Sequence, residues 1–203
     1  MCLIDRKGDQ KNIGNYYINI IKNYKEVNKD KAKNLNCVWF DFHDKCKGMK
    51  YENIKQLFKS SSVSAALKNF KYTHIKISKR RIEEIEQENK LENLYINNNQ
   101  LLVYEQAQQG TFRTNCIDSL DRTNVVQSAF GRYFIFMMLN DCKFYNSPPS
   151  VDDIFKQFQG GFEKTFKLLW ADQGDSLSLA YSGTGALKSD FVRTGKRTIE
   201  GNL

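Results

Sequence analysis

The sequence predicts a single α/β domain, and three features support this fold class. Its 203 residues are enough for one domain with a full hydrophobic core. Apolar residues make up 40% of the chain and charged residues 27%, as in ordinary globular proteins. Segments with helical periodicity alternate with short strand-like runs, and no internal repeat or linker separates them. We therefore expect one folded unit, provided that the chain is complete.

The first half is predicted to place helices around a strand and a hairpin. Helices are expected in ENIKQLF (52–58), VSAALKNF (63–70) and the charged segment 78–94, and a strand in CVWFDF (37–42). The runs LYI (94–96) and LLVYEQ (101–106) flank an Asn-rich turn and are typical of a β-hairpin. An earlier amphipathic helix is indicated by apolar residues at three- and four-residue steps, which predict one buried stripe: Ile13, Tyr16, Tyr17, Ile20, Ile21 and Tyr24.

The second half begins with the strand-like approach to RTNCIDSLDRTN (113–124). Apolar residues spaced regularly from Val125 to Met138 predict a helix directly after this motif. The motif therefore lies at a strand, loop and helix junction. Ser150 is expected to cap a further helix over 151–169, whose first turn carries two aspartates. The end of the chain (180–203) is glycine-rich and basic.

Composition limits the partners and the chemistry. A net charge of +8 suits nucleic acid, a membrane surface or an anionic substrate, although a general Lys/Asn bias explains the charge equally well. The five cysteines include no CxxC pair or zinc pattern, so we expect reduced thiols and no metal. The longest apolar run (133–139) is too short to span a bilayer. GTGALKS (183–189) lacks the glycines of a nucleotide-binding loop, so no nucleotide or other cofactor is expected.

A thiol, two carboxylates and a guanidinium lie within seven residues of the motif: Cys116, Asp118, Asp121 and Arg122. Free N–H groups and the dipole at the start of a helix bind phosphate, and together with Arg122 they stabilise a Cys116 thiolate. The planar guanidinium can hold two phosphate oxygens. Thr123 can hydrogen-bond the sulfur when it leaves. These groups predict a cysteinyl-phosphate mechanism in which an aspartate protonates the leaving alcohol.

Either aspartate can be the acid. Asp121 precedes Arg122, which would keep its carboxylate ionised, whereas a bound phosphate and the thiolate would raise the pKa of Asp118. Asp118 is narrowly favoured on this ground. Against it, other cysteine phosphatases with an aspartate before the arginine look as though they use that residue, which here is Asp121.

The motif RTNCIDSLDRTNVVQ (113–127) resembles the signature of the Sac-domain phosphoinositide phosphatases. VWFDFHDKCKGM (38–49), QQGTFRTNC (108–116), LWADQGDSLSLAYSGTGALKSDF (169–191) and RTGKRT (193–198) resemble further blocks of that family in the same order. The resemblance implies hydrolysis of a phosphate from the inositol ring of a phosphoinositide without a metal ion, with phosphatidylinositol 4-phosphate as the favoured substrate. It also implies a cysteine-phosphatase-like core with a parallel-rich central sheet between helices. The implied substrate-binding residues are Ile117, Ser119, Leu120, Thr123, Asn124 and Lys188. The basic residues Arg193, Lys196 and Arg197 are expected to contact an anionic headgroup or lipid surface, although a solvated basic tail explains them equally well.

The resemblance also implies partners and a location. The expected partners are a phosphoinositide headgroup and an anionic membrane surface, without nucleic acid, at the cytoplasmic face of the endoplasmic reticulum and Golgi. Two departures stand out: Ser119 occupies a position where the family usually has cysteine, and the family's N-terminal β-rich domain does not precede FDFH (40–43). Residues 1–203 thus resemble the C-terminal part of a Sac catalytic domain. One alternative is a catalytically silent fragment that binds phosphoinositide or a partner protein because half of the domain is absent. A weaker alternative is a protein tyrosine phosphatase.

Overall fold

The computed structural model of the chain describes residues 1–78, 94–97, 100–156, 158 and 161–186, and these are mostly helical. They form two compact units, one from residues 1–63 and the described residues from 112 on, the other from residues 64–111. The helices described are α1 (Gly8–Val27), α2 (Phe42–Lys45), α3 (Lys55–Lys59), α4 (Ser61–Phe70), α5 (Asp121–Asp141), α6 (Val151–Ile154) and α7 (Gly161–Ser182), with 3-10 turns at Lys47–Met49 and Tyr51–Ile54.

Helix α1 forms as expected, but the predicted burial of its apolar stripe is wrong for four of its six residues. Ile13, Tyr16 and Ile20 are 50%, 73% and 65% exposed. The buried residue of this helix is Gly14, against which the indole of Trp39 packs so closely that a Cβ would overlap the ring. The helix meets its neighbour through this small residue. Of the predicted stripe, Tyr17 and Ile21 are half-buried and the other residues are exposed.

The predicted strand at 37–42 does not form. Instead, the N-terminal segment makes isolated parallel bridges with the segment around Trp39 and with the segment around Asn115. Cys2 forms isolated parallel bridges with Trp39 on one side and Asn115 on the other. The backbone N–H of Leu3 donates to the carbonyl of Asn115 at 2.8 Å, and that of Phe40 donates to the carbonyl of Cys2 at 2.9 Å. These bridges are too short to count as a sheet. They nevertheless place the residue before Cys116 beside the buried start of the chain.

Helix α5 carries the core of the first unit. It contains the predicted helix and begins at Asp121, inside the motif. Val126 is fully buried, and the ring of Phe130 lies 4.7 Å from that of Phe58 and 4.5 Å from that of Phe112 between centroids. Such a buried aromatic cluster fixes the helix whose first turn closes the motif.

The predicted helix over 151–169 is present as two helices among the described residues. Ser150 caps α6 as expected, in a capping box with Asp153. Helix α7 begins at Gly161 and continues to Ser182, well beyond the predicted end. A buried ion pair joins it to α5, because the guanidinium of Arg132 donates to both carboxylate oxygens of Glu163 at 2.8 and 2.9 Å.

The second unit contains a three-stranded antiparallel sheet, in the order β1 (His74–Ser78), β3 (Gln100–Gln106), β2 (Leu94–Asn97). The pairing of β2 with β3 confirms the predicted hairpin, with Tyr95 opposite Leu102. Strand β1 was not predicted. The expected helix over 78–94 lies almost entirely outside the described residues.

Candidate active site

The motif forms a loop between the Asn115 bridge and the first turn of α5. Ser119 has a φ of 57°, in the left-handed region that non-glycine residues seldom adopt. The Asp118 carboxylate supports this turn by accepting the backbone N–H of Leu120 at 3.1 Å. Ile117, Asp118 and Ser119 are exposed, whereas Cys116 and Arg122 at the two ends are buried. The loop thus presents its middle to solvent.

Two hydrogen bonds to the thiol and one from the backbone fix the position of Cys116. Its Sγ donates to Oδ1 of Asp118 at 3.0 Å, and the Thr123 hydroxyl donates to Sγ at 3.3 Å. The backbone N–H of Cys116 donates to the oxygen of the same hydroxyl at 3.2 Å. The thiol is therefore held between a carboxylate that can take its proton and a hydroxyl that can stabilise its anion.

The pKa of the Asp118 carboxyl lies below its ordinary value. Burial raises this pKa, but hydrogen bonds from the Cys116 thiol and the Leu120 backbone, together with the charge of Arg122, outweigh the burial. The sequence analysis expects a raised pKa in the phosphate-bound site. In the free loop, the shift has the opposite direction, and Asp118 is ionised at neutral pH.

The Arg122 guanidinium is buried and contacts the start of the chain. Its Nη1 donates to Oδ1 of Asp5 and to Oε1 of Gln10, both at 3.4 Å. The side chains of Arg122 and Asp5 are only 9% and 13% exposed. Sequence reasoning missed Asp5 and Gln10, because they lie more than one hundred positions before Arg122.

His43 belongs to the same cluster. Its Nδ1 lies 2.9 and 3.0 Å from the two carboxylate oxygens of Asp5, rather than against the nearby Asp41 or Asp44. Asp41 instead caps α2 by accepting the backbone N–H of Asp44.

Asn124, predicted to bind substrate, joins the start of α5 to α7. Its Nδ2 donates to the carbonyl of Trp170 at 2.8 Å. Its buried Oδ1 has no hydrogen-bond partner among the residues that the structure describes. The predicted basic residues Lys188, Arg193, Lys196 and Arg197 lie outside those residues.

A cavity of about 920 Å³ lies beside this cluster. His43, which contacts Asp5, is part of its wall. Arg6 is fixed at its edge, with Nη2 donating to the carbonyl of Trp39 and the guanidinium 5.0 Å from the centre of the indole ring. The cationic side chains lining it are Arg6, Lys7, Lys45 and Lys47, and the acidic ones Asp41 and Asp44. The walls therefore carry an excess of positive charge.

Similarity to curated proteins covers nearly the whole chain. It is 33% identical over 199 residues to "Phosphatidylinositide phosphatase SAC2" of Danio rerio, and 32% identical over 199 residues to the Homo sapiens protein of that name. Both matches cover 98% of this chain. It is also 49% identical over 100 residues, 48% of the chain, to "Phosphatidylinositol-3-phosphatase SAC1" of Drosophila melanogaster. The chain belongs to the Sac-domain phosphoinositide phosphatase family.

The chain spans 14% of the length of either SAC2 relative and 16% of the Drosophila protein. No family model matches it, and no solved structure is significantly similar to it. Among the helices described, none is long and apolar enough to cross a membrane.

Proposed function

We propose that this Sac-domain chain is a phosphoinositide phosphatase that forms a cysteinyl-phosphate intermediate. The observation that carries the proposal is the hydrogen bond from the Cys116 thiol to the Asp118 carboxylate, at the start of a helix whose first turn contains Arg122. The proposed nucleophile Cys116 and proton acceptor Asp118 belong to the loop, and the proposed phosphate-binding cation Arg122 belongs to the helical turn that follows it. The dipole at the buried start of α5 also favours a phosphate anion there.

The first step moves one proton twice. Asp118 accepts the thiol proton of Cys116 when phosphate is bound, which leaves a thiolate beside a neutral carboxylic acid. The thiolate attacks phosphorus, the S–P bond forms and the bond from phosphorus to the inositol oxygen breaks. Asp118 then gives the same proton to the leaving oxygen. A carboxylate that is ionised in the free loop thus becomes the general acid without an external proton.

The second step regenerates the thiol site. Water attacks phosphorus as Asp118 removes its proton, the O–P bond forms and the S–P bond breaks. The departing thiolate is stabilised by the Thr123 hydroxyl, which already lies 3.3 Å from the sulfur. Asp118 finally returns a proton to Cys116. The Arg122 guanidinium offsets the charge on the phosphate oxygens in both steps.

The cavity lined by Arg6, Lys7, Lys45 and Lys47 is the proposed place for the rest of the headgroup. The basic residues near the C-terminus are a second proposed contact with an anionic membrane surface, at the cytoplasmic face of the endoplasmic reticulum and Golgi. Phosphatidylinositol 4-phosphate is the proposed substrate. The name of the Drosophila relative specifies a 3-phosphatase, so the ring position needs direct measurement.

Phosphate release from a panel of phosphatidylinositol mono- and bisphosphates in vesicles tests the proposal. The full chain is expected to release phosphate, Cys116→Ser to be inactive, and Cys142→Ser, a change at an exposed thiol, to match the unchanged protein. A chain that binds the vesicles without releasing phosphate would be the silent fragment instead. Equal activity of Cys116→Ser would refute the cysteinyl-phosphate mechanism.

A further inference from the structure

We infer that Asp5 is a positioning residue for Arg122, which holds the guanidinium so that one edge remains open for phosphate. The inference rests on the proposed function and adds to it a group from the opposite end of the chain. It is carried by two sets of contacts: Asp5 and Gln10 contact the buried guanidinium of Arg122, and the partly exposed His43 contacts the Asp5 carboxylate.

The path of the chain explains how Asp5 reaches the loop. Cys2 bridges Asn115 in parallel, so both segments run in the same direction toward the site. After the bridges, one segment enters the loop at Cys116 and the other leads to Asp5. The Asp5 backbone N–H then donates to Oε1 of Gln10 at 3.0 Å, which fixes the turn into α1. The backbone of Asp5 is therefore held by the Cys2 bridges before it and by the side chain of Gln10 after it.

The contacts of Arg122 involve one corner of its guanidinium. Asp5 and Gln10 both accept from Nη1, whereas Nε and Nη2 have no hydrogen-bond partner in the described part of the chain. Nε and Nη2 form the edge whose two parallel N–H groups match two oxygens of a phosphate. Holding Nη1 leaves this edge available and removes the rotation that would otherwise turn it away.

An electrostatic role would have the opposite consequence. A carboxylate 3.4 Å from Arg122 also competes with phosphate for the same positive charge. If Asp5 only lowered that charge, its removal would strengthen phosphate binding and leave turnover intact. If Asp5 positions Arg122, its removal lowers turnover, because a misplacement of about 1 Å in a reacting complex costs about a hundredfold in rate. Removal of Asp5 should thus lower kcat if Asp5 positions Arg122, and should leave kcat intact while strengthening phosphate binding if Asp5 only lowers the charge.

His43 also contacts the Asp5 carboxylate. Its Nδ1 contacts both oxygens of Asp5, while its side chain is 55% exposed at the wall of the basic cavity. It therefore restricts rotation of Asp5 from the solvent side without touching Arg122. Contacts therefore connect the exposed His43 to Asp5, and Asp5 to the buried guanidinium of Arg122.

Steady-state kinetics on a phosphoinositide and on an aryl phosphate provide the first test. Asp5→Ala is expected to lower kcat about a hundredfold on both substrates with KM changed less than about threefold. Asp5→Asn, which keeps an acceptor oxygen, is expected to lose less. Asp9→Asn is the matched control, because it removes the same charge from an exposed position four residues further along. Unchanged kcat with tighter phosphate binding in Asp5→Ala would overturn the inference.

Nitrogen NMR of the arginine side chains gives a readout that does not require turnover. In the unchanged protein, the Nη1 and Nη2 groups of Arg122, assigned with Arg122→Lys, should give separate signals because rotation of the guanidinium is restricted. Inorganic phosphate should then shift the Nε signal. Averaged Nη signals in the unchanged protein would overturn the inference even if Asp5→Ala fails to fold. Separate signals without phosphate release would count against the proposed function but support the restraint of Arg122.

Discussion

Replacing Asp118 by asparagine separates the two proton transfers assigned to this residue. Asparagine keeps an oxygen that can accept the Cys116 thiol at 3.0 Å and the Leu120 backbone N–H at 3.1 Å. The loop should therefore keep its shape. The variant cannot take up the thiol proton or return it to a leaving group, so its loss of rate reports proton transfer.

The magnitude follows from comparing two substrates. An aryl phosphate has a leaving group that needs no protonation, and its loss of rate measures only the activation of Cys116. A phosphoinositide requires both transfers, and a positioned general acid contributes about 10² to 10⁴ in rate. Asp118→Asn should therefore lose about 10² more on the lipid than on the aryl phosphate. Asp121→Asn should show no such difference between the two substrates.

The assay is kcat/KM for both substrates with both variants, with thermal unfolding to confirm that each is folded. An equal loss on the two substrates would show that Asp118 orders the loop or binds phosphate without donating the proton. A lipid-specific loss in Asp121→Asn alone would transfer the acid to that residue. Either result would refute the proton path proposed for Asp118.

Three further predictions concern the packing of α5 against α7. Glu163→Gln should lower the free energy of unfolding by about 3 to 5 kcal/mol in urea denaturation, because it leaves the buried Arg132 charge unpaired. Burial raises the pKa of the Glu163 carboxyl, but hydrogen bonds from Arg132 and the backbone lower this pKa below its ordinary value of 4.5. The contribution of Glu163 to stability should therefore be complete above pH 4.5 and be lost as the pH falls through the lower pKa of the folded state. A loss of stability that begins at higher pH would contradict this. Gly174→Ala should cost about 1 to 3 kcal/mol, since its Cβ would lie 2.8 Å from Nδ2 of Asn124, whereas Gly161→Ala, with open space around it, should cost less; equal costs would contradict this explanation.

The parts that the sequence predicted are those set by local patterns. The helix after the motif, the Ser150 cap and the pairing of β2 with β3 depend on neighbours within a few residues or across a short turn. The cysteine and arginine of the loop were also identifiable, because their spacing places them at the two ends of the loop that leads into that helix. Their roles in catalysis stay predictions.

The parts that it did not predict depend on contacts between distant segments. Periodicity indicated that α1 has an apolar stripe, but it could not show that the helix would pack through Gly14. The partner of Arg122 was also hidden, since Asp5 lies 117 positions away and an aspartate near the N-terminus carries no local signal of its own. The low pKa of Asp118 likewise depends on the folded loop.

The start of the chain connects these observations, because it supports the loop at both ends. Cys2 and Leu3 hold the backbone at Asn115, directly before Cys116, while Asp5 contacts the guanidinium of Arg122, directly after the loop. The loop itself contains no glycine and includes Ser119 in a conformation that costs free energy. Such a conformation persists only when its surroundings determine it. Five N-terminal residues are therefore as much a part of the candidate active site as the motif that first identified it.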